Sequence, residues 1–303
     1  MAAVVNVNGR ICGEREAVVS VFDHGFVFGE GVYEVLRTYH REPFLLDAHL
    51  RRMRESAAMI GLDVPYSDAE LLERIRRTLD AAPDLEEAYI RILLTRGVGE
   101  FSYDPKSCPA PTLVVIVKPH MAPPLEVYER GVRIALVDVT RNHPYSVSPR
   151  IKSNNLLNNV LAMQQAIKRG AFEALMKNYR GELCECSQSN FFIVRAGEAQ
   201  TPPLEAGLLA GVTRAFVFEL GRECGVPVRE STLHESDLSG AGEAFLTSTT
   251  REIVPIVAID DRRIGNGVPG PVTLRLLRAF RQRSAALPGP RPVVEDLTAL
   301  RSC

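Results

Sequence analysis

The stretch Pro119-His120-Met121-Ala122-Pro123-Pro124 limits what this chain can fold into more than any other. Proline has no backbone N–H and a fixed φ, so three prolines in six residues stop both a helix and a sheet ladder. Apolar, strand-like runs lie on either side, Thr112 to Val117 before it and Val132 to Val139 after it. The chain therefore divides into a smaller unit (residues 1–118), a linker (119–128), a larger unit (129–287) and a Pro-rich tail (288–303). A length of 303 residues is ample for two domains.

Both halves mix strand and helix signals. Val4 to Val7, the turn signal Asn8-Gly9 and the apolar run Ala17 to Phe22 read as a hairpin over residues 3–22. Val32 to Tyr39, Ala88 to Thr95 and Thr112 to Val117 read as strands. On Ala88 to Thr95, alternation puts Tyr89, Arg91 and Leu93 on one face and Ile90, Ile92 and Leu94 on the other. Asp47 is placed to cap a helix with Leu50, Met53, Ala57 and Ile60 inside, and Ser67-Asp68-Ala69-Glu70 is a capping box opening a second. In the larger half, Phe172 to Lys177 and Asn190 to Arg195 read as strands around the turn Asn178-Tyr179-Arg180-Gly181. Helices are expected up to Gly170, over Arg214 to Cys224, and from Pro271 to Gln282. The class is mixed α/β.

Composition narrows the function. A net charge of -1 gives no electrostatic footprint for nucleic acid or an anionic membrane. No apolar run of about eighteen residues is present, and no signal peptide is visible at the start. Six dispersed cysteines, only Cys184 and Cys186 close together, read as reduced cytoplasmic thiols rather than a metal site.

The chemistry concentrates around Ile151-Lys152-Ser153-Asn154-Asn155-Leu156-Leu157-Asn158-Asn159. Lys152 has uncharged amides and leucines about it and no acidic neighbour in sequence. An amine so placed can sit partly desolvated, which favours its neutral, nucleophilic form. That is what a lysine forming a Schiff base requires. Glu185, in Glu182-Leu183-Cys184-Glu185-Cys186-Ser187-Gln188-Ser189-Asn190, has no base near it in sequence, and reads as a carboxylate in a hydrogen-bonded interior or as part of a plain hairpin turn. Leu208 to Thr213 opens a helix with Gly211 and Thr213, an anion site in the making. Phe245-Leu246-Thr247-Ser248-Thr249-Thr250 ends a strand in hydroxyls, and one of Arg51, Arg52 and Arg54 can reach inward to a phosphate. The glycines of Asp23 to Glu34 suggest a backbone passing close to a ligand or another chain. An amine, an acid and two or three phosphate-binding devices are together what pyridoxal phosphate needs.

Seven segments, in order, resemble the class IV aminotransferases: FDHGFVFGEGVYE, HLRRM, YIRILLTRGVG, IKSNNLLNNVLA, FEALM with ECSQSN, GVTR, and FLTSTTREIVPI. The likeness runs from Asn6 to about Arg281. It implies a two-domain fold type IV enzyme, with a small N-terminal α/β domain and a larger C-terminal domain around a barrel-like core. By the same resemblance, Lys152 is the Schiff-base lysine and Glu185 the acid on the pyridine nitrogen. Arg52, Val212, Thr213, Ser248 and Thr249 hold the phosphate, and Leu209 packs on the ring. Phe28, Tyr33, Arg37, Tyr89, Arg91 and Thr250 line the substrate pocket. The cofactor is pyridoxal 5'-phosphate, with no metal, and the family pattern is a cytoplasmic homodimer in which a small-domain loop completes the partner's pocket.

The substrate signals are mixed. Leu156 stands where the branched-chain enzymes carry a tyrosine, as in D-amino-acid aminotransferases, and FGEGVYEVLR leans the same way. The pair Tyr89 and Arg91 and the loop Arg96-Gly97-Val98-Gly99 resemble the branched-chain enzymes. The expected activity is transfer of an amino group from a branched-chain or other apolar amino acid to a 2-oxo acid such as 2-oxoglutarate. The alternatives are a D-amino-acid or (R)-amine transaminase, a lyase of the aminodeoxychorismate type, and a non-catalytic cofactor-binding protein.

Overall fold

The computed structural model describes residues 3–287; the tail 288–303 lies outside them. Strands β1 (Val4–Val7) and β2 (Arg10–Gly13) form the first hairpin. Its turn residues Asn8 and Gly9 both have positive φ, +51° and +95°, the geometry Asn-Gly favours. The hairpin is shorter than expected. Ala17 to Phe22 is not a strand, because β2 already ends at Gly13, opposite Val4, and β1 offers no further partner.

A one-turn helix α1 (His24–Val27) precedes β3 (Gly31–Tyr39), β4 (Glu42–Pro43), helices α2 (Leu46–Met59) and α3 (Asp68–Asp80), β5 (Ala88–Thr95) and β6 (Thr112–Pro119). The six strands make an antiparallel sheet in the order β2-β1-β6-β5-β3-β4. Val32 and Leu36 of β3 and Ile90, Ile92 and Leu94 of β5 are fully buried, in one cluster with Leu50, Met53 and Ala57 of α2 and Leu71 and Ile75 of α3. Ser67 caps α3 in a complete capping box with Glu70. Asp47 does not cap α2; Leu45 stands at the N-cap position, with φ +54° and no side-chain cap, and Asp47 falls in the first turn, where its charge still suits the helix dipole.

Next come α4 (Leu125–Arg130), whose first four residues fall within the expected linker, β7 (Val132–Leu136), α5 (Leu157–Lys168), β8 (Ala174–Lys177), β9 (Glu182–Cys186), β10 (Asn190–Arg195), β11 (Glu198–Thr201), α6 (Val212–Cys224), β12 (Val228–Glu230), β13 (Leu233–His234), β14 (Glu243–Ser248), β15 (Glu252–Ile259), β16 (Arg262–Arg263) and α7 (Pro271–Ala285). Strands β10-β14-β15-β7-β8-β9 pair in succession, and β9 returns to β10 through Glu185 opposite Asn190. Six strands thus close a barrel, and they close it at Glu185. The segment that also read as a plain turn is therefore strand β9. Its residues Leu183 to Cys186 are all buried, so no polar–apolar alternation announces it.

Phe191, Phe192 and Phe245 fill the barrel side of the core, the last two stacked at 4.6 Å. Phe44, from the first half, packs edge-on against Phe216 of α6 and Phe280 of α7, each at 5.5 Å. Among the described residues no helix is long and apolar enough to cross a membrane. Ser67→Ala removes the cap of α3 and is expected to cost about 1 kcal/mol, read as a lower urea midpoint with an unchanged slope.

Candidate active site

A cavity of about 510 Å³ opens where the two halves meet. Lys152 enters it from the loop before α5. Its backbone runs beside the start of β3: Tyr33 N–H donates to the Lys152 carbonyl at 2.9 Å, Asn154 N–H to the Gly31 carbonyl at 2.9 Å, and Lys152 N–H to Ser56 Oγ at 3.1 Å. Gly31 permits this approach, since a Cβ there would lie 2.5 Å from Asn154 Nδ2 and 2.8 Å from the Leu94 carbonyl. Lys152 Nζ stands 4.5 Å from the centre of the Tyr33 ring, and the Arg91 guanidinium stands 4.2 Å from the same ring.

Glu185 lines the cavity from the barrel seam and is buried. Arg141 Nε donates to Oε1 at 2.7 Å; the Leu209 N–H and Asn190 Nδ2 donate to Oε2 at 3.0 and 3.3 Å. A carboxylate has about four acceptor positions, so one further donor can be taken. Arg141 also donates to Asn158 Oδ1 on α5, at 2.9 Å. Sequence reasoning missed Arg141. It lies 44 residues from Glu185, and no local pattern links the two.

Helix α6 begins at Val212 with Gly211 as N-cap and no side-chain cap, so its first N–H groups face the cavity. Asn190 packs under this turn, donating to the Leu209 carbonyl at 3.0 Å. A Cβ on Gly211 would come 1.9 Å from Asn190 Oδ1. Arg52 arrives from α2 and donates through Nη1 to the Ala210 carbonyl at 3.0 Å. Its Nε and Nη2 are fixed by Glu34 at 2.8 and 2.6 Å, and His49 Nδ1 also meets Glu34 at 2.7 Å. Glu34 is fully buried; burial pushes its carboxyl up, but the charge of Arg52 and the hydrogen bonds of Arg52 and His49 bring it down to about 2. Burial holds the His49 imidazole below its ordinary value. Glu34 was legible in part: an acid between Val32 and Leu36 on a buried strand face demands a buried cation.

Ser248, Thr249 and Thr250 line the opposite wall with the buried Thr247, whose Oγ1 has no hydrogen-bond partner among the described residues. Tyr89 and Arg91 of β5 and Tyr33 of β3 complete the wall nearest Lys152. Two expected pocket residues are elsewhere. Phe28 packs on His24 and Tyr103, at 4.8 and 5.2 Å between ring centres. Arg37 is drawn away by an acid: Nη1 donates to Glu252 Oε1 at 3.2 Å and the guanidinium stacks 4.0 Å from Tyr39. The remaining predicted positions, Lys152, Arg52, Glu185, Leu209, Val212, Thr213, Ser248, Thr249, Thr250, Tyr33, Tyr89 and Arg91, share the one cavity.

The family model described as amino-transferase class IV matches residues 31–259. This chain belongs to the class IV aminotransferases. This aminotransferase is 39% identical over 277 residues to a protein of Methanocaldococcus jannaschii provisionally named a branched-chain-amino-acid aminotransferase, covering 91% of this chain and 95% of that one. It is also 34% identical over 274 residues to the D-alanine aminotransferase of Bacillus licheniformis, covering 90% and 94%. Among solved structures, the branched-chain amino acid aminotransferase of Thermobaculum terrenum in its PLP-form superposes with a TM-score of 0.83 at 28% identity, covering 93% of this chain and 94% of that one.

Two outcomes are expected of this geometry. Because Glu34 is depressed in the fold, its stabilisation is complete above the ordinary carboxylate range and is lost as pH falls from about 4 toward about 2. Acid unfolding should therefore be less steep across that window in Glu34→Gln. Gly211→Ala should displace Asn190 and cost about 1–3 kcal/mol, as overpacking does, seen as a lower thermal midpoint.

Proposed function

We propose that this aminotransferase uses pyridoxal 5'-phosphate to move an amino group between an apolar amino acid, branched-chain above all, and a 2-oxo acid such as 2-oxoglutarate. The observation that carries the reading is the convergence on one cavity of the Lys152 amine, the Glu185 carboxylate and an uncapped helix start beside Arg52. The residues fit the cofactor. Glu185 retains an acceptor position for a ring N–H, the first N–H groups of α6 are open to an anion, and Thr247 Oγ1 is buried with no partner among the described residues. In this reading Arg52, Val212, Thr213, Ser248 and Thr249 hold the phosphate and Leu209 packs on the ring.

When bound, the cofactor supplies a carbonyl that carries the amino group and a ring that takes up electron density. The Lys152 amine anchors that group and then moves a proton at the substrate α carbon, a role worth about 10²–10⁴ in rate. Glu185, steadied by Arg141, keeps a proton on the ring nitrogen. Tyr33, Val35, Val160 and Met163 offer an apolar wall to the substrate side chain, and Arg91 offers a cation to a carboxylate.

The unit boundaries at 119–128, a cytoplasmic location and a homodimer belong to the same proposal. Exposed Phe22, Phe26 and Phe101, with Leu157 and Leu161 on the outer face of α5, support the dimer. Unpaired thiols at Cys12, Cys108, Cys184, Cys186 and Cys224 suit a reducing compartment. Because the relatives include D-alanine aminotransferases, a second reading is transfer from a D-amino acid or an (R)-amine. A panel of L- and D-amino acids and (R)-amines with 2-oxoglutarate decides. Turnover restricted to D-amino acids or (R)-amines would reverse the assignment, and elimination without transfer would make the enzyme a lyase.

Lys152→Ala should leave no covalent attachment after borohydride treatment of the loaded protein, whereas the unaltered chain carries the label on the peptide containing Lys152. Label on any other lysine refutes the role.

A further inference from the structure

The turn that ends β14 is held from outside its own sheet at three consecutive residues. His120, in the linker, lies with Nε2 2.9 Å from the Thr250 carbonyl. A carbonyl only accepts, so Nε2 carries the hydrogen and the tautomer is set. Tyr128 Oη of α4 donates to the Arg251 carbonyl at 3.2 Å. Glu252 accepts from Arg37 at 3.2 Å, Tyr39 Oη at 2.9 Å and Arg281 at 2.9 Å. Glu252 has φ +59°, a conformation side-chain-bearing residues adopt only when their surroundings impose it. The linker is itself tied to the small half, since His120 N–H donates to the Glu87 carbonyl at 2.9 Å while Glu87 Oε2 accepts from Thr38 at 2.6 Å. Burial, then the charge of Arg37, holds the His120 imidazole below its ordinary value, so it stands neutral in the neutral range.

None of these side chains lines the cavity except through the turn they grip. We propose that His120 is a positioning residue, and that through its Nε2–H on the Thr250 carbonyl the interdomain linker sets Thr250, at the substrate end of the turn after Ser248, in the cavity wall. A peptide plane is rigid, so fixing the carbonyl of residue 250 fixes the N–H of Arg251, which closes the turn on the Ser248 carbonyl at 3.3 Å and so sets the hydroxyl-bearing residues between them. The assignment rests on the reading that Thr250 lines the substrate pocket. It also gives Arg37 a place: with Tyr39 it holds the far end of the same turn, at Glu252.

The test uses the cofactor-loaded enzyme and two variants, His120→Ala and His120→Gln. The glutamine side chain can present an N–H donor at a reach similar to Nε2. Binding of a short branched carboxylic acid is measured by calorimetry, alongside KM and kcat for the amino donor. His120→Ala should weaken acid binding and raise KM roughly three- to tenfold, the range one lost hydrogen bond gives, with kcat within about twofold and cofactor content unchanged. His120→Gln should restore both. Tyr39→Phe, which removes one bond to Glu252, should shift both in the same direction by less. Unchanged acid binding in His120→Ala, equal impairment of the alanine and glutamine variants, or loss of cofactor in parallel with the KM change would each overturn the proposal. An unaltered enzyme that binds the acid but transfers no amino group would refute the transaminase reading alone, and the binding shift would still decide the role of His120.

Discussion

A carboxylate inside a barrel must find donors or cease to be charged, and Glu185 meets that demand with donors from three separate segments. Arg141 comes from the loop after β7, the Leu209 N–H from the approach to α6, and Asn190 from the facing strand. The residue that closes the barrel is thus also the residue that orders the cavity floor. Asn190 joins Glu185 to the loop before α6, and Arg141 joins it to α5, which begins five residues after Lys152. Disturbing the acid disturbs the lysine loop, the helix start and the seam together.

The same arrangement recurs at each wall. Glu34 fixes Arg52, Glu173 meets Arg251 at 3.0 Å and also accepts from Ser189 Oγ at 3.0 Å, and Glu252 takes Arg37 and Arg281. Buried ion pairs are poor sources of net stability, since apolar residues of similar volume often serve as well, yet losing one partner is costly. Their use here is geometric. Glu34 and Glu173 each hold a long, flexible arginine in one orientation beside the cavity, and Glu252 holds two at the foot of the turn that lines it. Arg52 shows the result: two nitrogens of its guanidinium, Nε and Nη2, belong to Glu34, and the third, Nη1, is turned toward the start of α6.

Legibility in the sequence followed the range of the interaction. Asn8-Gly9, the Ser67 capping box and the alternation on β5 are local devices, and each appears where the residues put it. Strand β9 was ambiguous because both its faces are covered, which erases the period of two. Ala17 to Phe22 misled because strand-like composition gives no strand without a neighbour to pair with. Arg37 misled for a related reason. Alternation puts it on the same strand face as Tyr33, but Glu252, 215 residues on, takes its charge. Arg141 and His120 could not be read at all, since a lone arginine or histidine in a loop carries no pattern.

The sequence by itself determined most of the segment types, the break in regular structure between β6 and α4, the family, and which residue types were available for the chemistry. These rest on φ restrictions, capping and side-chain period, which act over a few residues. Only the tertiary structure decided which charges meet: that Glu185 faces Arg141, that Glu34 governs Arg52, and that the linker reaches the Thr250 carbonyl. Those pairings depend on burial, which strips water from a charge and makes its nearest partner in space, however distant along the chain, the one that counts.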